Sequence, residues 1–133
     1  MLGRINYLCE QGEDFAIETT LATKSYVSLI KKLKQKGYTV TLLFFWLNTV
    51  ELAISRVDER VKKGGHNIPK DVIERRYIAG LKNLNKLYLS VVDNYYIFDN
   101  SEDILESIAE NTSINGKKII ENNKFKIITT YGK

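Results

Sequence analysis

Four arginines and a histidine, gathered in one stretch, could handle a phosphate. The string Arg56-Val57-x-x-Arg60-Val61-x-x-Gly64-Gly65-His66-x-Ile68-Pro69 is followed closely by Arg75-Arg76-Tyr77. Phosphoryl transfer spreads negative charge over the moving group, and guanidinium forks stabilise that charge. Two helices joined by a glycine-containing loop, each carrying an inward-aimed arginine, would serve as a lid. A single arginine on a helix is ordinarily a solvated charge; four of them around a Gly-Gly-His hinge favour function. His66 alone fits either a substrate contact or a satisfied turn.

A second set of polar residues falls where strands are expected to end: Glu18-Thr19-Thr20, Asn48-Thr49 and Asp99-Asn100-Ser101. In open α/β sheets, ligands gather beyond the carboxyl ends of the strands. For Asn48 and Asp99 a cap or turn explains the residue type as well as function does. Glu18 points the other way, because a carboxylate leaving a buried strand is costly to desolvate unless something uses it.

The elements that must position these residues follow from periodicity. Phe15–Glu18 reads as a short strand. Thr20 or Thr23 caps a helix with Val27, Ile30 and Leu33 on one face, stopping at Gly37. Thr39–Leu47 holds an unbroken apolar run and reads as a central strand buried on both faces. Asn48 and Glu51 resemble a capping box before a helix striped by Val50, Ala53, Ile54, Val57 and Val61, with Arg56, Arg60 and Lys63 on another face. Pro69 suits the first turn of the next helix, which carries Ile73, Tyr77, Leu81, Leu84 and Leu87 or Tyr88. Tyr95–Phe98 is a third strand, about Asp103–Glu110 a short helix, and Lys117–Ile120 with Phe125–Thr130 a hairpin about Asn122-Asn123. Residues 1–133 then make one α/β domain with a mainly parallel sheet.

Composition narrows the function classes. Apolar residues at 44% and charged residues at 27% suit a soluble globular domain. The longest dense apolar run, Leu42–Leu47, falls far short of the roughly 18 residues that span a bilayer. A lone Cys9 cannot form an intramolecular disulfide, which places the chain in a reducing cytosol with a buried or half-buried thiol. The net charge of +4 raises a nucleic-acid partner. Lys31, Lys32, Lys34 and Lys36 fall late in a predicted helix, however, where cations suit the negative end of its dipole. Neither a nucleic acid nor a membrane is expected as partner.

Three strings together resemble a known family. Phe15-Ala16-Ile17-Glu18-Thr19-Thr20-Leu21, the arginine-rich run through Arg75-Arg76-Tyr77, Leu81 and Asn83-Leu84, and Asp99-Asn100-Ser101 are similar to the zeta toxin family, P-loop kinases that phosphorylate UDP-N-acetylglucosamine, and to uncharacterised bacterial relatives. The likeness covers roughly residues 13 to 110. It implies a three-layer P-loop-type fold, a sugar-nucleotide substrate, and ATP with Mg2+. By position, it implies that Glu18, Thr20 and His66 contact substrate, that Arg56 and Arg60 sit on the ATP phosphates, and that Arg60, Arg75 and Arg76 act in catalysis. The toxins usually have glycine between the glutamate and the threonine, where this chain has Thr19.

The family's first strand leads into a G-x-x-x-x-G-K-(S/T) loop whose amides and lysine cradle phosphates. No such string occurs here, and the family's catalytic aspartate, which lies soon after that loop, has no counterpart. Charge-assisted hydrogen bonds contribute roughly 1.5–3 kcal/mol each. Losing three of them costs about 5–9 kcal/mol, or about three to six orders of magnitude in affinity. The resemblance places the absent strand between Phe15–Glu18 and Thr39–Leu47. The expectation is a kinase domain inactive alone and completed by a separate N-terminal half or an oligomer. The alternative is a non-catalytic remnant that binds a nucleotide-sugar or a protein.

Overall fold

Where apolar spacing is helical, the chain forms helices, and two of them, ending near residues 36 and 63, stop at glycine. The computed structural model describes residues 2–131, apart from the side chains at 2, 3, 6 and 9. The expected Cys9 thiol environment lies outside those described side chains. A first helix, α1 (Leu2–Glu10), precedes an irregular stretch, and α2 (Tyr26–Gln35) follows. In α2, Leu33 is buried and Val27 and Ile30 pack at the core margin. Its end is a Schellman motif: Gly37 takes φ 92°, Tyr38 N–H donates to Leu33 O at 3.0 Å, and Gly37 N–H to Lys34 O at 3.1 Å.

Strand β1 (Thr41–Trp46) leads into α3 (Val50–Lys62). The cap of α3 is Thr49, not Asn48: the Thr49 hydroxyl accepts the Leu52 N–H at 3.1 Å. A second Schellman motif ends α3, with Gly64 at φ 96° and Gly65 N–H donating to Arg60 O at 2.7 Å. Gly64-Gly65 is thus a helix stop. Pro69 sits at the N-cap of α4 (Lys70–Asn83), one step before the helix proper. A π-helical turn, Leu84–Tyr88, extends α4 and runs into α5 (Leu89–Val91). This extra width lets Leu84 and Tyr88 be fully buried while Leu87 also packs against the core.

Then come β2 (Asn94–Asp99), β3 (Glu106–Thr112), β4 (Gly116–Ile119) and α6 (Asn122–Thr130). The sheet order is β1-β2-β3-β4. Among the described strands β1–β2 is parallel and β2–β3 and β3–β4 are antiparallel, so the sheet is mixed and not mainly parallel. The expected helix at 103–110 is largely β3, because its residues complete β2's ladder. The expected hairpin is overturned too. Its first arm is β4, which pairs back onto β3, and its second arm is α6, whose Phe125 and Ile128 pack on the core.

Two further corrections concern the strands flanking the helices. Phe15–Glu18 is not a strand: residues 13–20 are irregular, with Phe15 edge-on to Tyr38 at 5.8 Å between ring centroids. A strand exists only by pairing, and among the described residues no strand lies alongside. Nor is β1 buried on both faces. Leu42, Phe44 and Trp46 face the core with Tyr95, Ile97, Leu81, Leu84 and Tyr88, whereas Leu43 and Phe45 are 52% and 49% exposed. β1 is also an edge strand. The open face carries stacked rings, Phe45–Phe98 at 5.5 Å and Tyr96–Phe98 at 6.4 Å. Among the described residues, no second covering layer of a three-layer sandwich lies over β1. No helix among the described residues is long and apolar enough to cross a membrane.

Candidate functional site

The parallel pair delivers two loops to one end of the sheet. Trp46 and Asp99 are register partners at the last rung, and Asn100 N–H continues the ladder to Trp46 O at 2.8 Å. The loops then lock together. Asn48 N–H donates to Ser101 Oγ at 2.9 Å, and Ser101 N–H returns to Asp99 Oδ1 at 2.9 Å. Arg56 reaches across from α3, its Nη2 donating to the carbonyls of Asn100 and Ser101 at 3.0 and 3.3 Å. Its guanidinium is therefore engaged by the loop.

Between these loops and α6 lies a cavity of about 370 Å³, lined by Trp46, Asn48, Thr49, Asp99, Ser101 and Lys124 among others. Lys124 bridges two carboxylates, at 2.8 Å from Asp99 Oδ2 and 3.0 Å from Glu106 Oε2. Burial alone would raise the Asp99 pKa, but the Lys124 ammonium and the Ser101 hydroxyl and amide outweigh it and hold the carboxyl below its ordinary range. Hydrogen bonds to Asp99 and then Glu106 raise the Lys124 pKa, keeping it protonated at neutral pH. Behind the cavity wall, Tyr77 Oη–H donates to Leu47 O at 2.6 Å. Burial, with a smaller push from Tyr131, lifts its pKa to about 12. The Trp46 indole N–H works weakly against that shift, yet it falls short of hydrogen-bond geometry and stays unpartnered.

This cavity is not a phosphate pocket. Glu102, Asp99 and Glu106 outnumber Lys124, whose charge is already shared. Among the described residues no group of three or more His, Cys, Asp or Glu side chains could hold a metal ion. With no cradle string in the sequence either, these residues do not fit Mg2+–ATP by themselves.

The residues singled out from sequence lie elsewhere. Glu18, Thr20, Arg56, Arg60, His66, Arg75 and Arg76 are all absent from the cavity lining. Arg60 and His66 flank the α3 stop, and Arg75 and Arg76 lie on α4; all four side chains are exposed. Glu18 and Thr20 are exposed on the irregular stretch before α2. That stretch is nonetheless fixed to α4: Asn83 Nδ2 donates to Leu21 O at 2.7 Å, and Thr20 O lies against Gly80. Asp99 was legible as a turn residue, whereas Lys124 carried no signal, being one lysine among Lys117, Lys118 and Lys126 in a segment expected to be a hairpin.

Comparison with known proteins agrees with the sequence resemblance. An uncharacterized protein of Haemophilus influenzae is 34% identical over 76 residues, which is 57% of this chain and 54% of that protein. The chain thus spans about half the length of that curated relative. No solved structure matches. The family model described as "Zeta toxin" matches residues 3–124. With nearly the whole chain so covered, from α1 into α6, this protein belongs to the zeta toxin family of P-loop-type, kinase-like proteins.

Proposed function

We propose that this chain carries the acceptor-binding and lid portions of a zeta-toxin-like, ATP-dependent small-molecule kinase, with a sugar nucleotide such as UDP-N-acetylglucosamine as acceptor. Glu18, Thr20 and His66 contact the acceptor. Arg60, Arg75 and Arg76 supply positive charge to the transferring phosphoryl group, while Arg56 steadies the Asn100–Ser101 loop.

The observation that carries this reading is that α4 both bears Arg75 and Arg76 and packs against Thr20. Thr20 packs its carbonyl on Gly80. Arg76 lies one turn earlier on the same face, about 6 Å of axial rise away. An acceptor touching Thr20 is therefore within reach of a guanidinium that has no hydrogen-bond or ion-pair partner among the described residues.

The phosphate cradle must come from outside these residues, and this chain is inactive alone. A separate segment or partner chain supplies the cradle and pairs at the open edge of β1, where Thr41–Trp46 has neither charge nor proline to repel an added strand. Thermal melts of the purified chain test both halves of the reading. UDP-N-acetylglucosamine raises the midpoint, and Mg2+–ATP alone does not. A rise with Mg2+–ATP would place a nucleotide site within this chain and overturn the division of labour. No response to the sugar nucleotide would remove the acceptor assignment. The absent cradle also favours a second reading, a non-catalytic remnant that binds a nucleotide-sugar or a protein; that reading predicts binding without turnover even when a P-loop segment from a family member is added.

A further inference from the structure

The turn that follows Glu18 is held in a conformation its own residues do not favour. Leu21 is the non-glycine residue with positive φ among those described, at 61°, and it is 4% exposed. A bulky residue there is an outlier that surrounding structure must maintain. Local bonds contribute two short turns: Thr19 Oγ1 accepts Leu21 N–H at 3.1 Å, and Thr20 Oγ1 accepts Ala22 N–H at 3.3 Å. Such bonds are compatible with many backbone shapes and do not select the left-handed one.

The selection comes from α4 and its π-helical extension. Asn83, buried at 7% exposure, donates to Leu21 O at 2.7 Å. Tyr88, buried at 1%, donates its hydroxyl to Thr23 O at 2.6 Å. Gly80 admits the Thr20 carbonyl so closely that a Cβ there would lie 2.4 Å from Thr20 O. The Leu21 side chain meanwhile joins the core cluster with Leu81, Leu84 and Tyr88. Three residues on one side of a continuous helix thus grip the carbonyls of Thr20, Leu21 and Thr23, at and around the strained residue. The π-helical turn gives a reason for its own presence, since its extra residue sets where Tyr88 stands relative to Asn83.

We propose that Gly80, Asn83 and Tyr88 are positioning residues that clamp the Thr20–Thr23 turn and thereby set where Glu18 and Thr20 meet the acceptor. This rests on the acceptor reading above. The Leu81, Asn83-Leu84 part of the family resemblance, which the arginine lid does not explain, is accounted for by this clamp. Glu18 and Thr20 need not be buried to be placed, because the clamp acts on the backbone next to them.

The test pairs a structural readout with a binding one. Amide hydrogen exchange of the full chain is followed at Leu21 and Ala22 in Gly80→Ala, Asn83→Asp and Tyr88→Phe. Asn83→Asp keeps the shape but turns a carboxylate oxygen toward Leu21 O, and Tyr88→Phe removes one hydroxyl while keeping the ring packed. Exchange at Leu21 and Ala22 rises tenfold or more in each, with β2 amides unchanged, and the Kd for UDP-N-acetylglucosamine rises about tenfold. Unchanged exchange in the mild Tyr88→Phe variant, or faster exchange with unaltered affinity, overturns the clamp as a positioning device. If the unmodified chain binds no sugar nucleotide, the acceptor reading fails on its own, and exchange alone decides whether the clamp exists.

Discussion

Replacing Tyr77 by phenylalanine isolates one hydrogen bond between α4 and the carboxyl end of β1. The hydroxyl donates to Leu47 O at 2.6 Å, and phenylalanine keeps the ring while leaving that carbonyl without its partner. A typical bond of this kind contributes about 0.5–1.5 kcal/mol net, and an abandoned carbonyl adds to the loss, so about 1–2 kcal/mol is expected. For a chain of this size each kcal/mol lowers the midpoint by roughly 3–5 °C, giving a fall of about 3–10 °C at neutral pH. Alkaline pH supplies an independent check. Folding raises the Tyr77 pKa from 10.0 to about 12, so the folded state resists ionisation that the unfolded state accepts. Stability from this source is complete below pH 10 and is lost as pH rises from about 10 to 12. Burial raises Tyr88 and Tyr95 in the same direction, so Tyr77→Phe makes the alkaline decline shallower without abolishing it. Heat and urea melts at pH 7.5 and across pH 9–11 measure both effects. An unchanged midpoint at pH 7.5 together with an unchanged alkaline slope would refute the assignment of this bond and its burial.

Two other perturbations bear on the site and its frame. Asp99→Asn removes a carboxylate whose pKa is lowered on folding. The unmodified chain should lose stability as pH falls from about 4 through the lowered folded value, and the variant should show a flatter acid profile in melts between pH 3 and 6; matching profiles would show that the Lys124 contact does not form in solution. Gly64→Ala places a side chain at φ 96° in the α3 stop and should cost about 1–2 kcal/mol, read as a lower urea midpoint at constant slope, whereas a neutral result would mean that the turn before His66 does not adopt this cap.

Much of the frame was legible because its causes are local. Leu33 and Gly37, Val57 and Gly64, and Ile73 with Tyr77 and Leu81 mark helices whose stripes and stops act within a turn or two of the residue concerned. The parallel pair was legible from Leu42–Trp46 and Tyr95–Phe98. Its environment was not, since a uniformly apolar run cannot say which alternate side chains will be covered; Leu43 and Phe45 are left open because no described helix lies over them. Glu18 and Thr20 were picked out as site residues on the assumption that a strand ends there. They are instead placed by Asn83 and Gly80, residues that the sequence presents only as parts of a helix.

The amino-acid sequence by itself determined the helices α2, α3 and α4, the arginines that α3 and α4 carry, the two parallel strands and the family. Helical period and glycine stops depend on neighbours a few residues apart, and the family strings are read residue by residue. Tertiary structure alone decided that 106–112 pairs as a strand and 122–130 coils as a helix. It also decided that Lys124 meets Asp99 across 25 positions of chain, and that Leu21 is held left-handed by Asn83 across 62. Ladder pairing, an ion pair and a clamped turn all take their energy from partners distant in sequence, so no local pattern records them.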